Sequence, residues 1–385
     1  MSEQSNASAL TLANNRNFAI DALRVFLALG VLHAHTVAHY GREAVVAHWR
    51  VINFFAIFRV PAFYFIAGFI LACQIARMGV SLSKSRHCEK ISAKDSVNSL
   101  CRNTNGHKTI LIRKLRQLVV PAVFFTLFPF ISRGYDLLLG LKTDFYFLPT
   151  LFFMILLYCG IDFAVKKFTS ARRGIFCILL GIYAIATTAF FYTSEPKDLA
   201  GALHYDAFLE GNIFFIAGTV SGIYRDKIIP VVKNIIFVIA SCVIYMGCYA
   251  LFVDDPLALP KDKIFELNTL TSMVGVIAIF SFFIGFMNIL TRSAFVRRIS
   301  LYLSQRSLPM YVLQNVIIMI VFTCIDISYL ENPGWHAVFT FLAVLIGVLL
   351  THDLLTLIPG VSRYVFGRDK KILPFCDIFR KEPRQ

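Results

Sequence analysis

Apolar runs long enough to cross a bilayer recur from one end of the sequence to the other, separated by short polar connections. The pattern predicts ten helices, over residues 19–38, 52–76, 117–133, 145–165, 174–193, 206–224, 232–253, 267–290, 301–325 and 336–358. The third is interrupted by Pro121 and Pro129, which predicts a kink there, with the segment 134–141 lying in the outer interface. The expected fold class is therefore all-α: a polytopic membrane protein with about ten transmembrane helices in one bundle. No second compositional zone interrupts it, so one membrane domain spans 19–358 between tails at 1–18 and 359–385. Its longest connection is the basic loop 77–116.

Composition strengthens this reading. Of 385 residues, 57% are hydrophobic and only 16% are charged, which no ordinary soluble domain tolerates. The net charge of +15 would suit a nucleic-acid partner, but its distribution points elsewhere. With the N-terminus inside, the outer loops hold only Arg42, Arg50, Arg133, Lys142, Lys197, Lys261 and Lys263. Nearly all the other basic residues then lie on the cytoplasmic side, as the positive-inside bias requires. The expectation is an integral protein of the plasma (inner) membrane with both termini cytoplasmic and no nucleic-acid partner.

The N-terminus has no basic region followed by a small-residue cleavage site, so the first helix is expected to act as its own insertion signal. The nine cysteines are scattered, most of them within spans, and form no CxxC pair. They read as small apolar packing residues. His87, Cys88, Cys101 and His107 have irregular loop spacing, which favours a solvated loop over a metal site.

Chemistry enters through ionisable residues inside apolar runs, which are costly there and mark function or a partner. Arg24 and His35 are eleven residues apart in the first helix, close to three turns. Both side chains thus fall on nearly one face, roughly 16 Å apart along the axis, and His33 falls on the opposite one. A guanidinium and an imidazole on one stripe imply a protein-lined cavity. Asp21, one turn before Arg24, can pair with it. In the second helix Arg59 must face a carboxylate, a backbone carbonyl or an anionic substrate group, and Gly68 would permit close helix contact. Arg113 and Arg116 share one helical face beside Lys108 and Lys114, a fork suited to phosphate or to anionic headgroups. Glu210, Asn212, Gln314, Asn315, His352 and Asp353 are further polar residues within spans, with Glu210 the strongest of them for a substrate contact. There is no GxSxG elbow, Walker loop, HExxH motif or dinucleotide fingerprint.

Arg24, ten residues and then His35 resemble the Arg-x10-His signature of the membrane acyltransferase-3 family. FYFIAGF at 63–69, Arg113-Lys-Leu-Arg116 with Pro121, DFYFLPTLFF at 144–153, FFIAGTVSGIYR at 214–225 and SQRSLPMYVLQ at 304–314 resemble that family's later elements, in order. Through IFRVPAFYFIAGF and the ending IPGVSRYVFGRDK, the chain is most similar to the branch that adds succinyl groups to periplasmic glucans. It departs from the pattern near Asp144 and Phe145 and at Gln314, where relatives carry histidines, so roles of those histidines are not carried over. It is also expected to lack the extracytoplasmic hydrolase-like domain of some relatives.

The resemblance implies transfer of an acyl group, acetyl or succinyl, from a cytoplasmic acyl-CoA to a hydroxyl of a cell-envelope carbohydrate or lipid-linked glycan. His35 would be general base or transient acyl carrier. Arg24 would orient the donor or stabilise the oxyanion. Arg113 and Arg116 would hold donor phosphates, and Asp21, Arg59 and Glu210 would line the substrate path. Such chemistry needs no metal or permanently bound cofactor; acyl-CoA is a substrate. Membrane lipids are the standing partner, and a homodimer is compatible with the sequence. Two other readings stay open: a secondary transporter of an organic anion or sugar, and a catalytically inactive subunit of an envelope-assembly complex.

Overall fold

The computed structural model describes residues 18–38, 42–86, 107–125, 147–168, 178–183, 205–252, 261–290, 293–324 and 333–358, with isolated positions at 175, 186, 360–361 and 365–366. Among the described residues every regular element is helical. The elements are α1 (Phe18–Ala38), α2 (Arg42–Arg86), α3 (107–125), α4 (Phe147–Phe168), α5 (Tyr205–Ile223), α6 (Arg225–Val232), α7 (Ile235–Phe252), α8 (Lys261–Leu290), α9 (Ala294–Ser304), α10 (Ser307–Cys324) and α11 (Pro333–Leu357).

Five of these, α1, α2, α8, α10 and α11, carry stretches long and apolar enough to cross a membrane, and a sixth span arises if α6 and α7, bent by 77° at their junction, count as one. The expected ten exceed this number. The apolar parts of α4 and α5 are shorter, Phe147–Phe163 and Gly211–Ile223. The expected span at 117–133 is described only as far as 125, and that at 174–193 only at 175, 178–183 and 186. Integral membrane character is evident from the outer surface as well. Ile236, Ile239, Val243 and Leu251 of α7 and Ile346, Leu350, Leu354 and Leu357 of α11 are all more than half exposed, a cost in water and no cost in lipid.

The central element is α1. Its Ala- and Leu-rich sequence favours helix, Asp21 sits in the first turn and His35 in the last, each complementing the helix dipole. Of its span 67% is buried, against 22% for α11, so α1 is enclosed while α11 faces outward. It packs against α2, α8, α9, α10 and α11.

At 45 residues α2 is about 68 Å long, so its ends extend well beyond a hydrocarbon layer of about 30 Å. Pro61 lies inside it and cannot donate to the carbonyl of Ile57 four residues earlier. Ser272 of α8 donates its hydroxyl to that carbonyl at 2.7 Å, and Tyr245 of α7 donates to the Phe54 carbonyl at 2.8 Å. The helix continues because neighbouring helices supply the missing hydrogen bond.

Against α5, α2 makes the closest helix contact among the described residues. Gly68 lies on the carbonyl of Phe215, Gly218 on that of Phe65, and Gly222 so near Phe69 that a Cβ there would stand 2.7 Å from its carbonyl oxygen. Gly218 and Gly222 form the small-xxx-small spacing that lets two backbones approach. The expected close contact at Gly68 is thus present.

The chain turns sharply after α11 at Gly360, whose φ of 88° suits a residue without Cβ. Phe366 then returns into the interior, 5.0 Å from the His352 ring and 6.1 Å from that of Phe125.

Candidate active site along the central helix

The first turns of α1 hold two of the predicted residues against α9 and α10. Ser304, the last residue of α9, donates to Asp21 Oδ1 at 2.7 Å, and Arg24 Nη2 donates to Ser307 Oγ at 3.2 Å. Ser307 in turn donates to the Ser304 carbonyl at 3.1 Å. Spacing along α1 suggests a direct Asp21–Arg24 pair; the structure adds two serine partners that come from the far end of the sequence.

The charge of Arg24 is also felt on α3. Lys114 feels the positive charges of both Arg24 and Arg113, and enclosure by protein together with those charges lowers its pKa to about 8. Part of its surface remains accessible, but the dense protein around the ammonium desolvates it first and the two guanidiniums add to the effect. Arg113 itself is exposed and donates to Gln74 of α2 at 3.4 Å. Lys114 therefore lies within electrostatic range of both Arg24 and Arg113. Arg116 lies in a π-helical turn, Leu115–Val119, and is exposed. Cations within range of one another disfavour one another and attract an anion of multiple charge.

His35 lies near the other end of α1, half-buried, on the same stripe as Arg24. The unbroken helix keeps the two about 16 Å apart along its axis. The ring of His33 meets that of Phe341 of α11 edge-on at 5.7 Å, so it packs against an aromatic neighbour on another face. Arg59 donates to the Gly30 carbonyl at 3.3 Å, the second of the three partners its burial allowed. Glu210 falls on α5, but its side chain lies outside the described residues. His107, set aside as a metal ligand, lies 2.8 Å from Asp162 through its Nε2. His87, Cys88 and Cys101 lie outside the described residues.

One polar group escaped the sequence reading. Arg306, between the two serines, is 1% exposed and contacts Asp353 Oδ1 through Nη2 at 2.6 Å and through Nε at 2.9 Å. Its guanidinium lies 3.5 Å over the Tyr302 ring, and the Tyr302 hydroxyl donates to Asp353 Oδ2 at 3.0 Å. This cluster fixes the α9–α10 junction to α11 and so sets where Ser304 and Ser307 meet α1. Opposite charges beside two apolar runs, at Arg306 and Asp353, were the available signal. Asp353→Ala strands a buried guanidinium and is expected to destabilise the protein by about 3–5 kcal/mol. Thermal unfolding in detergent measures it, and the paired change Arg306→Met with Asp353→Leu should recover most of the loss.

Cations near one end of a buried helix and an imidazole near the other suit a reaction in which an anionic carrier is anchored far from the bond that changes. Compared with known families, residues 17–352 match the family described as an acyltransferase domain. No curated protein and no solved structure matches the chain significantly.

Proposed function

The chain belongs to the acyltransferase-3 family and is a membrane acyltransferase; from that premise we propose that it moves an acyl group, acetyl or succinyl, from cytoplasmic acyl-CoA to a hydroxyl of a cell-envelope carbohydrate. The observation that carries this reading is the positive field near one end of α1, where Lys114 feels the charges of both Arg24 and Arg113, with His35 near the other end of that helix. The phosphates of a CoA thioester match the cations, and its acyl end would extend along α1 toward His35.

His35 takes the proton of the acceptor hydroxyl, whose oxygen attacks the thioester carbonyl carbon. The C–S bond breaks, the thiolate takes the proton from the imidazolium, and an ester and free CoA result. A route in which His35 carries the acyl group transiently uses the same residues. Of the two roles open to Arg24, anchoring the donor fits better than stabilising the oxyanion. An arginine side chain cannot span the axial rise of about 16 Å to a carbonyl held beside His35. In this reading both termini and the cation cluster face the cytoplasm of a bacterial inner membrane, and the acceptor approaches from the opposite side. The succinyl-transferring branch is the favoured assignment within the family, on the sequence segments it shares.

Mass spectrometry of envelope glycans from cells with and without the gene tests the reading, since a lost acetyl or succinyl mass names the group moved. Purified protein that carries solute across liposomes, yet consumes no acyl-CoA, would replace it by the transporter reading.

The lowered pKa of Lys114 adds a signed expectation. Its ammonium is the form that binds phosphate, and it is lost as pH rises through about 8. The donor KM should therefore climb between pH 7 and pH 9. In Lys114→Met it should already be high at pH 7 and lose that climb, while the acceptor KM stays unchanged. A pH-independent donor KM in the wild type would exclude Lys114 from donor binding.

A further inference from the structure

Gln314 of α10 is 1% exposed, and its side-chain carbonyl oxygen has no hydrogen-bond partner. A buried amide oxygen without a donor is a cost that an apolar residue of the same size would avoid, so its presence calls for an explanation. A water is a poor one. A buried water needs two to four polar partners, and the neighbours on this helix, Leu313, Ile317 and Ile318, are buried and apolar.

The helical register shows where the group stands. Gln314 follows Ser307 by seven residues, two turns, so the two side chains leave α10 within about 20° of each other. Ser307 meets Arg24 of α1. The adjacent faces of α10 are taken by others: the Tyr311 ring lies 5.8 Å from Phe147 of α4, and Ile317 abuts Gly347 of α11. Gln314 therefore lies on the face toward α1.

Both contacts between α1 and the α9–α10 junction, Asp21 with Ser304 and Arg24 with Ser307, keep the same offset of 283 residues. Continued along α10, this sets Gln314 opposite Val31, on the stripe that Arg24 and His35 share. Contacts along α11 agree with α1 and α10 running in parallel. Asp353 meets Arg306, Gly347 meets Ile317, and Phe341 meets His33. Gln314 thus stands about 10 Å along the axis from Arg24 and about 6 Å short of His35.

We infer that Gln314 is a donor-binding residue, whose side-chain carbonyl accepts a hydrogen bond from an amide N–H in the uncharged arm of an acyl thioester anchored by its phosphates near Arg24. This rests on the function proposed above, which sets the two ends of the donor. The arm of a CoA thioester offers amide N–H groups between its phosphates and its sulfur, the interval in which Gln314 lies. An acceptor hydroxyl reaching His35 from the far side would not pass it.

Gln314→Met keeps length and volume and removes the acceptor. In detergent-purified protein, assayed with whichever of acetyl-CoA and succinyl-CoA the wild type turns over, the donor KM should rise about tenfold. The kcat and the acceptor KM should stay within about twofold, and thermal stability should be unchanged or higher. An unchanged donor KM overturns the inference, as does a rise confined to the acceptor KM, which would make the sugar hydroxyl the partner. A CoA analogue with N-methylated arm amides provides a second arm that leaves the protein unaltered. As a competitive inhibitor of the wild type it should be about tenfold weaker than CoA, and equal inhibition by the two overturns the inference. Wild-type protein that turns over neither thioester removes the donor reading and this one together. Turnover by the wild type with an unmoved KM in Gln314→Met removes this one alone.

Discussion

Replacing His35 by alanine should lower kcat for acyl transfer by roughly 100- to 10,000-fold, the usual contribution of a positioned general base, while the protein stays folded. The expectation of normal folding has a structural reason. His35 is half-buried near the end of α1, and the burial that holds this helix comes from Leu23, Leu27, Leu32 and Val37. Arg24→Ala should also abolish useful transfer, through loss of donor binding. Asp21 keeps its bond to Ser304 in that variant, so the contact between α1 and α9 survives. Radiolabelled acyl transfer paired with thermal unfolding separates these outcomes. Activity near the wild-type level in either variant would remove that residue from the site. If Arg24→Ala lowered kcat at saturating donor and left donor affinity intact, the anchoring role would pass to Arg113 and Lys114 alone.

The second large effect concerns packing. Gly218→Ala adds one methyl group, yet that carbon would overlap the backbone carbonyl of Phe65, and no rotamer change can relieve a clash between two backbones. The α2–α5 seam would have to open, breaking the register at Gly68 and Gly222 as well. Loss of most folded, monodisperse protein in detergent is expected, a larger penalty than the ~1–3 kcal/mol of ordinary core overpacking. Gly160→Ala is the control. Nothing lies within 4 Å of a Cβ at that position of α4, so it should be neutral or slightly stabilising. Equal behaviour of the two variants would show that the seam is looser than described.

How much of this the sequence disclosed depends on the range of each interaction. Hydropathy finds apolar stretches, and it located those of α1, α2, α8 and α11 closely, because a spanning helix must be apolar over its whole length, whereas the expected helix 301–325 joined the end of α9 to α10 across their break at 305–306. It could not show that α2 continues to Arg86, since the polar residues past Ala76 leave no hydropathy signal. Nor could it show that apolar stretches in α4 and α5 fall short of the others. Local helical spacing was enough to align Arg24 with His35 and to separate His33. The partner of Arg59 was narrowed to three kinds and left there, because a carbonyl on a neighbouring helix carries no sequence mark. Ser304 and Ser307 were invisible as site residues for the same reason. They lie about 280 residues from Asp21 and Arg24, and only tertiary packing brings them near.

That separation bears on biogenesis. As it leaves the ribosome α1 carries a carboxylate and a guanidinium into the membrane, and the serines they meet on α9 and α10 are synthesised 283 residues later. At usual elongation rates this is a wait on the order of tens of seconds. Until then the nascent chain must shelter Asp21 and Arg24 at the headgroups or in the translocation machinery. Final docking of α1 is thereby tied to the arrival of α9 and α10, so a polypeptide cut short before them would expose α1 to quality control.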